Sequence, residues 1–257
     1  MQSPSIQPKI NQYIEENNLR GKLVISGVDE LSQTNGILFK IQAFHRFLQD
    51  YKYFVNKIIL VQVCFQQRSV SSTTNRYYED QLVTACKQCN EEFPGSIVFH
   101  CLNGSYFSLE NRLALWKVTN IYLNTSISQG LNLYPQEFLL ARQHEGGIAI
   151  VSEFSSSHEF LNGALSINPW DINNIVIQLE KAISMGDEEI KRRQQRDIDN
   201  ITKREKRLWA CNVINVVMQL DYEESIQVSK QPGQELITED LSPLTYPLDV
   251  VIHSLIH

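Results

Sequence analysis

The chain has 257 residues, 42% of them hydrophobic, enough to bury a sizeable core in one large domain. Its formal net charge of −6 argues against a global pull toward nucleic acid or an anionic membrane. No apolar run reaches the ~20 residues a bilayer crossing needs, and the polar start MQSPSIQPKINQYIEENN lacks the apolar centre of a signal peptide, so a cytoplasmic protein with no membrane partner is expected.

Residues 1–20 read as a polar N-terminal segment. The first apolar run, 22–27, reads as a buried strand. It leads into GVDELSQTNGI, residues 27–37, which opens a helix over 36–50. A loop that leaves a strand and enters a helix through glycines commonly holds phosphate, because free backbone N–H groups point out of it. A Lys or Arg usually assists. This loop has neither, and its charged residues are Asp29 and Glu30.

A second strand is predicted at 57–64 and a helix at 75–92. That helical pattern contains Cys86-Lys-Gln-Cys89. No second pair of Cys or His ligands sits at finger spacing, so two ordinary helix cysteines are expected, with metal or redox work as the lesser reading. The odd total of five cysteines argues against a disulfide framework. Strands follow at 96–102, 120–125, 147–152 and 164–168, with helical patterns at 107–118, 132–145, 155–162 and 171–185. In the last of these Asp171 is the expected N-cap, and Ile172, Ile175, Val176, Leu179, Ala182 and Ile183 mark one apolar face. A charged helix is predicted over 187–220. Its basic part, KRRQQRDIDNITKREKR, lacks interleaved aromatics and reads as a solvated face, not a nucleic-acid site. Residues 221–257 are acidic, contain Pro232-Gly233, and read as a linker or the start of a further domain.

Continuous apolar strands alternating with helices predict an α/β fold, a Rossmann-like open parallel sheet with helices on both faces. Ligands of such sheets bind at the carboxyl ends of the strands. Residues 27–35, 102–105, 126–132 and 153–157 fall there. One of these segments continues as SISQGLNLYPQEFLLAR, residues 126–142. It reads as a strand end, a glycine turn and a helix opening at Leu131-Asn132, whose N-terminus presents N–H groups to an anion. Glu137, one to two turns in, is placed to reach a sugar. A helix cap with an exposed Glu is the plainer alternative. The histidines show no ligand spacing, Ser155–His158 shows no nucleophile elbow, and Trp116, Trp170 and Trp209 read as core or interface anchors.

Four ordered blocks carry a resemblance: GVDELSQTNGILFKIQAFHRFL, KIILVQVCFQQR, SISQGLNLYPQEF and IVSEFSSSHEFLNGALSINPW. Together they resemble the trehalose-6-phosphate synthases, a family of retaining glycosyltransferases, over about residues 20–220. The resemblance implies the C-terminal, nucleotide-sugar-binding half of a two-domain GT-B glycosyltransferase, without its N-terminal acceptor domain. It implies glucosyl transfer from UDP-glucose to glucose-6-phosphate, with UDP-glucose as donor substrate and no metal or other cofactor. It also implies a partner, either the acceptor domain of the same full-length protein or a related synthase subunit.

The resemblance assigns residues as well. Gly130, Leu131, Asn132 and Leu133 form the helix opening against the nucleotide sugar. Glu137 holds the ribose hydroxyls, Phe107 belongs to the loop that reads the uracil, and Arg68 contacts the acceptor phosphate. Gly27, Asp29 and Gly36 keep the first turn. Where the family has an Arg and a Lys on the donor diphosphate, this chain has Glu30 and Asn35. The family's sugar-contacting Asp is Gln129 here, and the Arg before it is Ser128. Losing one donor to a developing oxyanion costs about 2.7–4 kcal/mol, and a carboxylate at the diphosphate adds repulsion. No Lys or Arg lies between Lys22 and Lys40, so shifting the register restores neither cation. Lys22, Arg112 or another cation that the sequence does not place are the candidates to replace them. Three readings follow: a degenerate regulatory or scaffolding module, an active synthase half, or a transferase of another sugar specificity.

Overall fold

The computed structural model describes residues 6–65, 72–102, 107–203 and 213–219. They fall into two units, one within 1–205 and one within 206–257. Of the second unit only 213–219 are described, and they are helical.

The first unit is built on six strands: β1 (Leu23–Glu30), β2 (Ile58–Phe65), β3 (Ile97–Leu102), β4 (Ile121–Leu123), β5 (Ile148–Ser152) and β6 (Leu165–Ile167). They pair in the order β3-β2-β1-β4-β5-β6, and every neighbouring pair is parallel. The order reverses between β1 and β4, so this is the doubly wound sheet that the alternation predicts.

The period of two along each strand sorts the apolar residues onto two faces. Ile25, Leu60, Ile121, Ile150 and Ile167 pack beneath α2 (Ile37–Asp50), α3 (Ser72–Glu92) and α6 (Ile172–Ser184). Val24, Val28, Val61, Tyr122 and Val151 pack beneath α4 (Leu109–Val118) and α5 (Tyr134–Ala141). Phe44 and Phe47 of α2 and Trp116 of α4 are fully buried. A large side chain of this kind contributes about 1.5–3 kcal/mol by leaving water. Asp171 caps α6 as expected, accepting from the N–H groups of Asn173 and Asn174. Cys86 and Cys89 are buried against the first core, and burial pushes the Cys86 thiol up to about 12.

Several boundaries differ from the sequence expectation. β1 does not stop at residue 27 but runs in register with β2 out to Glu30–Phe65. Gly27 is therefore a strand residue, and the loop before α2 spans only 31–36. The helix expected over 132–145 is α5, shorter at both ends. The pattern at 155–162 is a 3-10 turn, Ser156–Glu159. The polar N-terminal segment contains a helix, α1 (Ile6–Glu16), which packs beside α4. The charged helix begins as α7 (Asp187–Lys203), residues 204–212 lie outside the described residues, and so does the tail at 221–257. Among the described residues no helix is long and apolar enough to cross a membrane.

Candidate functional site

A cleft of about 550 Å³ opens where the strand order reverses. Its lining comes from the end of β1 (28–30), the turn at 32–35, Phe65, Arg112, and the segment 128–134 with Glu137.

The floor is a buried ion pair. Lys40 of α2 reaches back under β1, and its Nζ donates to Asp29 Oδ2 at 2.6 Å and to Gln62 Oε1 at 3.0 Å. Gln62 Nε2 donates to the same Asp29 oxygen at 2.9 Å. Both charged side chains are shut off from water. This arrangement explains Gly27: a Cβ there would lie 2.2 Å from Lys40 Nζ. The glycine makes room for an ammonium group and does not form a phosphate turn. Asp29 Oδ1 is buried and accepts from no donor among the described residues.

Two loops close over this floor. Thr34 O accepts from the N–H of Ile127 at 2.8 Å, and Thr125 Oγ1 donates to Gly36 O at 2.9 Å. Gly36 sits at φ +61°, and a Cβ there would lie 2.0 Å from Thr125 O, so both conformation and space demand glycine. The approach brings two of the four altered family positions together. Gln129 Nε2 donates to Asn35 Oδ1 at 3.0 Å. Asn35 Nδ2 donates to Glu30 O at 2.9 Å, and Gln129 Oε1 accepts from Asn124 Nδ2 at 2.8 Å and Asn132 Nδ2 at 3.1 Å. Asn132 Oδ1 in turn accepts from Tyr134 N at 2.9 Å, at the start of α5. A chain of neutral amides occupies the ground where the resemblance places a cation and a carboxylate.

The wall is Glu137. It points into the cleft as expected, but it is already engaged. Arg112 grips it through Nε at 2.9 Å and Nη2 at 3.0 Å, the fork geometry that suits a carboxylate. Trp116 Nε1 donates to it at 3.3 Å, and Arg112 Nη1 also donates to Phe107 O at 2.7 Å. Phe107 is thus near the cleft, with its carbonyl taken.

The predicted site residues Glu30, Asn35, Gln129, Gly130, Leu131, Asn132, Leu133 and Glu137 all line one cavity. Arg68 lies outside the described residues. Lys22 cannot replace a lost cation. It precedes the start of β1, and five strand residues, 23–27, at ~3.3 Å each separate it from the first lining residue, Val28. Arg112 is in the cleft, but it is committed to Glu137. The described lining therefore carries three carboxylates, of which Asp29 is paired with Lys40 at the floor and Glu137 with Arg112. Sequence reading alone did not place Lys40, Gln62 and Asn124 here. For Lys40 and Gln62 the signal was available in hindsight: a Lys and a Gln inside otherwise apolar core patterns need a partner. Among the described residues no group of three His, Cys, Asp or Glu side chains is placed to hold a metal ion.

The model of glycosyltransferase family 20 matches residues 1–219. Among curated proteins the chain is similar to UDP-forming alpha,alpha-trehalose-phosphate synthase 1 of Arabidopsis thaliana, at 27% identity over 88% of this chain and 24% of that one. It is also similar to the UDP-forming alpha,alpha-trehalose-phosphate synthase of Schizosaccharomyces pombe, at 29% identity over 80% of this chain and 40% of that one. The chain thus spans less than half the length of these relatives. Among solved structures it shares its fold with the N-terminal domain of Candida albicans trehalose-6-phosphate phosphatase, with a TM-score of 0.76 and 20% identity over 85% of this chain and 46% of that one.

Proposed function

The chain belongs to glycosyltransferase family 20, and from that premise we propose that it is the donor-side half of a trehalose-phosphate-synthase-like protein whose diphosphate site has been neutralised. In this reading it works as a regulatory or scaffolding module of trehalose biosynthesis and does not transfer glucose. The observation that carries the reading is the Asn35–Gln129 hydrogen bond with its supporting amides. A departing UDP needs positive charge beside it. Here the two loops that would supply it satisfy each other with neutral groups, and Glu30 lines the cleft beside them. The fold's occurrence at the N-terminus of a protein named as a phosphatase is consistent with a use other than glycosyl transfer.

The proposal extends to a partner. Leu131 and Leu133 flank the cleft and are largely exposed. The chain spans less than half of its relatives, and this rim suits an acceptor-side domain of the same family, from the same full-length protein or a related subunit.

Titration calorimetry of the chain with UDP and UDP-glucose tests the reading. No heat is expected up to several millimolar ligand. The triple change Glu30→Arg, Asn35→Lys, Gln129→Asp should restore binding at about 1 mM, worth roughly 4 kcal/mol. Binding of UDP by the unaltered chain at that strength would overturn the proposal and favour an active synthase half.

A further inference from the structure

The cleft that has lost its charge is not an inert one. Its described lining is rich in groups that recognise hydroxyls: the amides of Asn35, Gln129 and Asn132, the side chains of Ser32, Thr34 and Ser128, and carboxylates. Gln129 Nε2 spends one proton on Asn35 and has a second to offer. Asp29, at the floor, keeps Oδ1 buried and without a donor among the described residues. A buried acceptor with no donor costs free energy, and a hydroxyl reaching the floor would satisfy it where a phosphate would not. Among the described residues the cations at the cleft are already engaged, Lys40 by Asp29 and Arg112 by Glu137, which leaves none of them to meet a phosphate. Leu131 and Leu133 add apolar surface at the rim.

We propose that this cleft binds an uncharged, hydroxyl-rich ligand, a mono- or disaccharide without phosphate, so that the protein reads free sugar and not sugar nucleotide. The inference rests on the reading that the diphosphate site is neutralised, and it adds a ligand class to it. Carboxylates and amides are the usual polar partners of a neutral sugar, since each hydroxyl both donates and accepts. Binding of a neutral ligand should also be insensitive to salt, whereas any residual diphosphate binding would fall as salt rises.

Glucose, trehalose and UDP are titrated separately into the full chain, followed by calorimetry and by ligand-observed NMR, at low and high salt. The expected result is that one of the two sugars binds at least roughly tenfold more tightly than UDP, with no salt dependence. Ser128→Phe should abolish it, because Ser128 is exposed on the cleft wall and a phenyl ring there occupies the cavity while leaving the residues of the amide network unchanged. Circular dichroism confirms that the variant is folded. Gln129→Leu, which removes the amide itself, should weaken sugar binding at least tenfold. Absence of binding by either sugar, with UDP also silent, overturns the sugar inference and leaves the neutralised-site reading standing. Binding of UDP more tightly than either sugar overturns both. Sugar binding that survives Ser128→Phe overturns the assignment to this cleft.

Discussion

Lys40 ends out of reach of water, where among the described residues Asp29 and Gln62 receive it. Removing one member of a buried pair strands the other, which typically costs 3–5 kcal/mol, whereas replacing both with apolar groups of similar size is often neutral. Lys40→Met should therefore destabilise the chain by about 3–5 kcal/mol. Lys40→Met combined with Asp29→Leu should recover most of that loss. Urea unfolding of the two variants beside the unaltered chain measures it, and equal destabilisation by both would show that the ion pair is not the source. This pair also shows where reading single residues stopped. Asp29 and Glu30 look like loop residues, because charged side chains at a strand end are normally solvated. What hides Asp29 is a lysine eleven positions later, on the far side of a turn. Glu137 was legible from its place at a helix opening. Its capture by Arg112 was not, since the two are 25 positions apart on different helices.

Helix α7 is held to the body of the first unit through the turn at Gly163. Asp197 Oδ1 accepts from Gly163 N at 2.6 Å, Arg193 Nη1 donates to Gly163 O at 3.2 Å, and Gln194 Nε2 donates to Leu139 O at 3.1 Å. Burial pushes the Asp197 carboxyl up to about 6 from an ordinary 3.8, against the opposing pull of the Gly163 N–H, Arg196 and Arg193. A raised carboxyl pKa means that the folded state binds the proton more tightly than the unfolded chain. Between about 6 and 3.8 the folded protein is protonated there and the unfolded chain is not. Acidification through that window therefore adds stability, and the desolvation cost is fully present above it. At about 1.4 kcal/mol per pH unit the gain is on the order of 3 kcal/mol. Asp197→Asn, which keeps an acceptor but cannot titrate, should lose this component. The unaltered chain should gain stability relative to the variant as pH falls from 7 to 5, read from their urea midpoints, and a difference that does not change with pH would exclude Asp197 as its origin. At this scale the sequence was informative: apolar periodicity located all six strands and α2 to α5 between them, although it also placed a helix at 155–162 where the chain makes a 3-10 turn. It failed where polarity misleads. α1 buries Ile10 and leans its half-buried Tyr13 and Ile14 on the second core, too thin a stripe to stand out in a polar segment.

The whole unit is a sheet whose two faces are sealed by helices and whose carboxyl edge is not. At that edge Leu131 is 69% exposed and Leu133 54%. A leucine left in water gives up about 1.5–3 kcal/mol of burial, and neighbouring ones at a concave rim favour contact with another surface. For this chain in solution by itself, the available surface is a second copy of it. Self-association that grows with protein concentration is therefore expected in sedimentation velocity. Leu131→Asp with Leu133→Asp should shift the population to monomer. Both side chains point away from the packed core, so stability should move by no more than about 0.5 kcal/mol, the usual range for surface changes. The same double variant should lose binding to an acceptor-side half supplied as a separate chain. A protein that stays monomeric at all concentrations, and binds no such half, would mean that the exposed leucines serve the ligand in the cleft and not a partner across it.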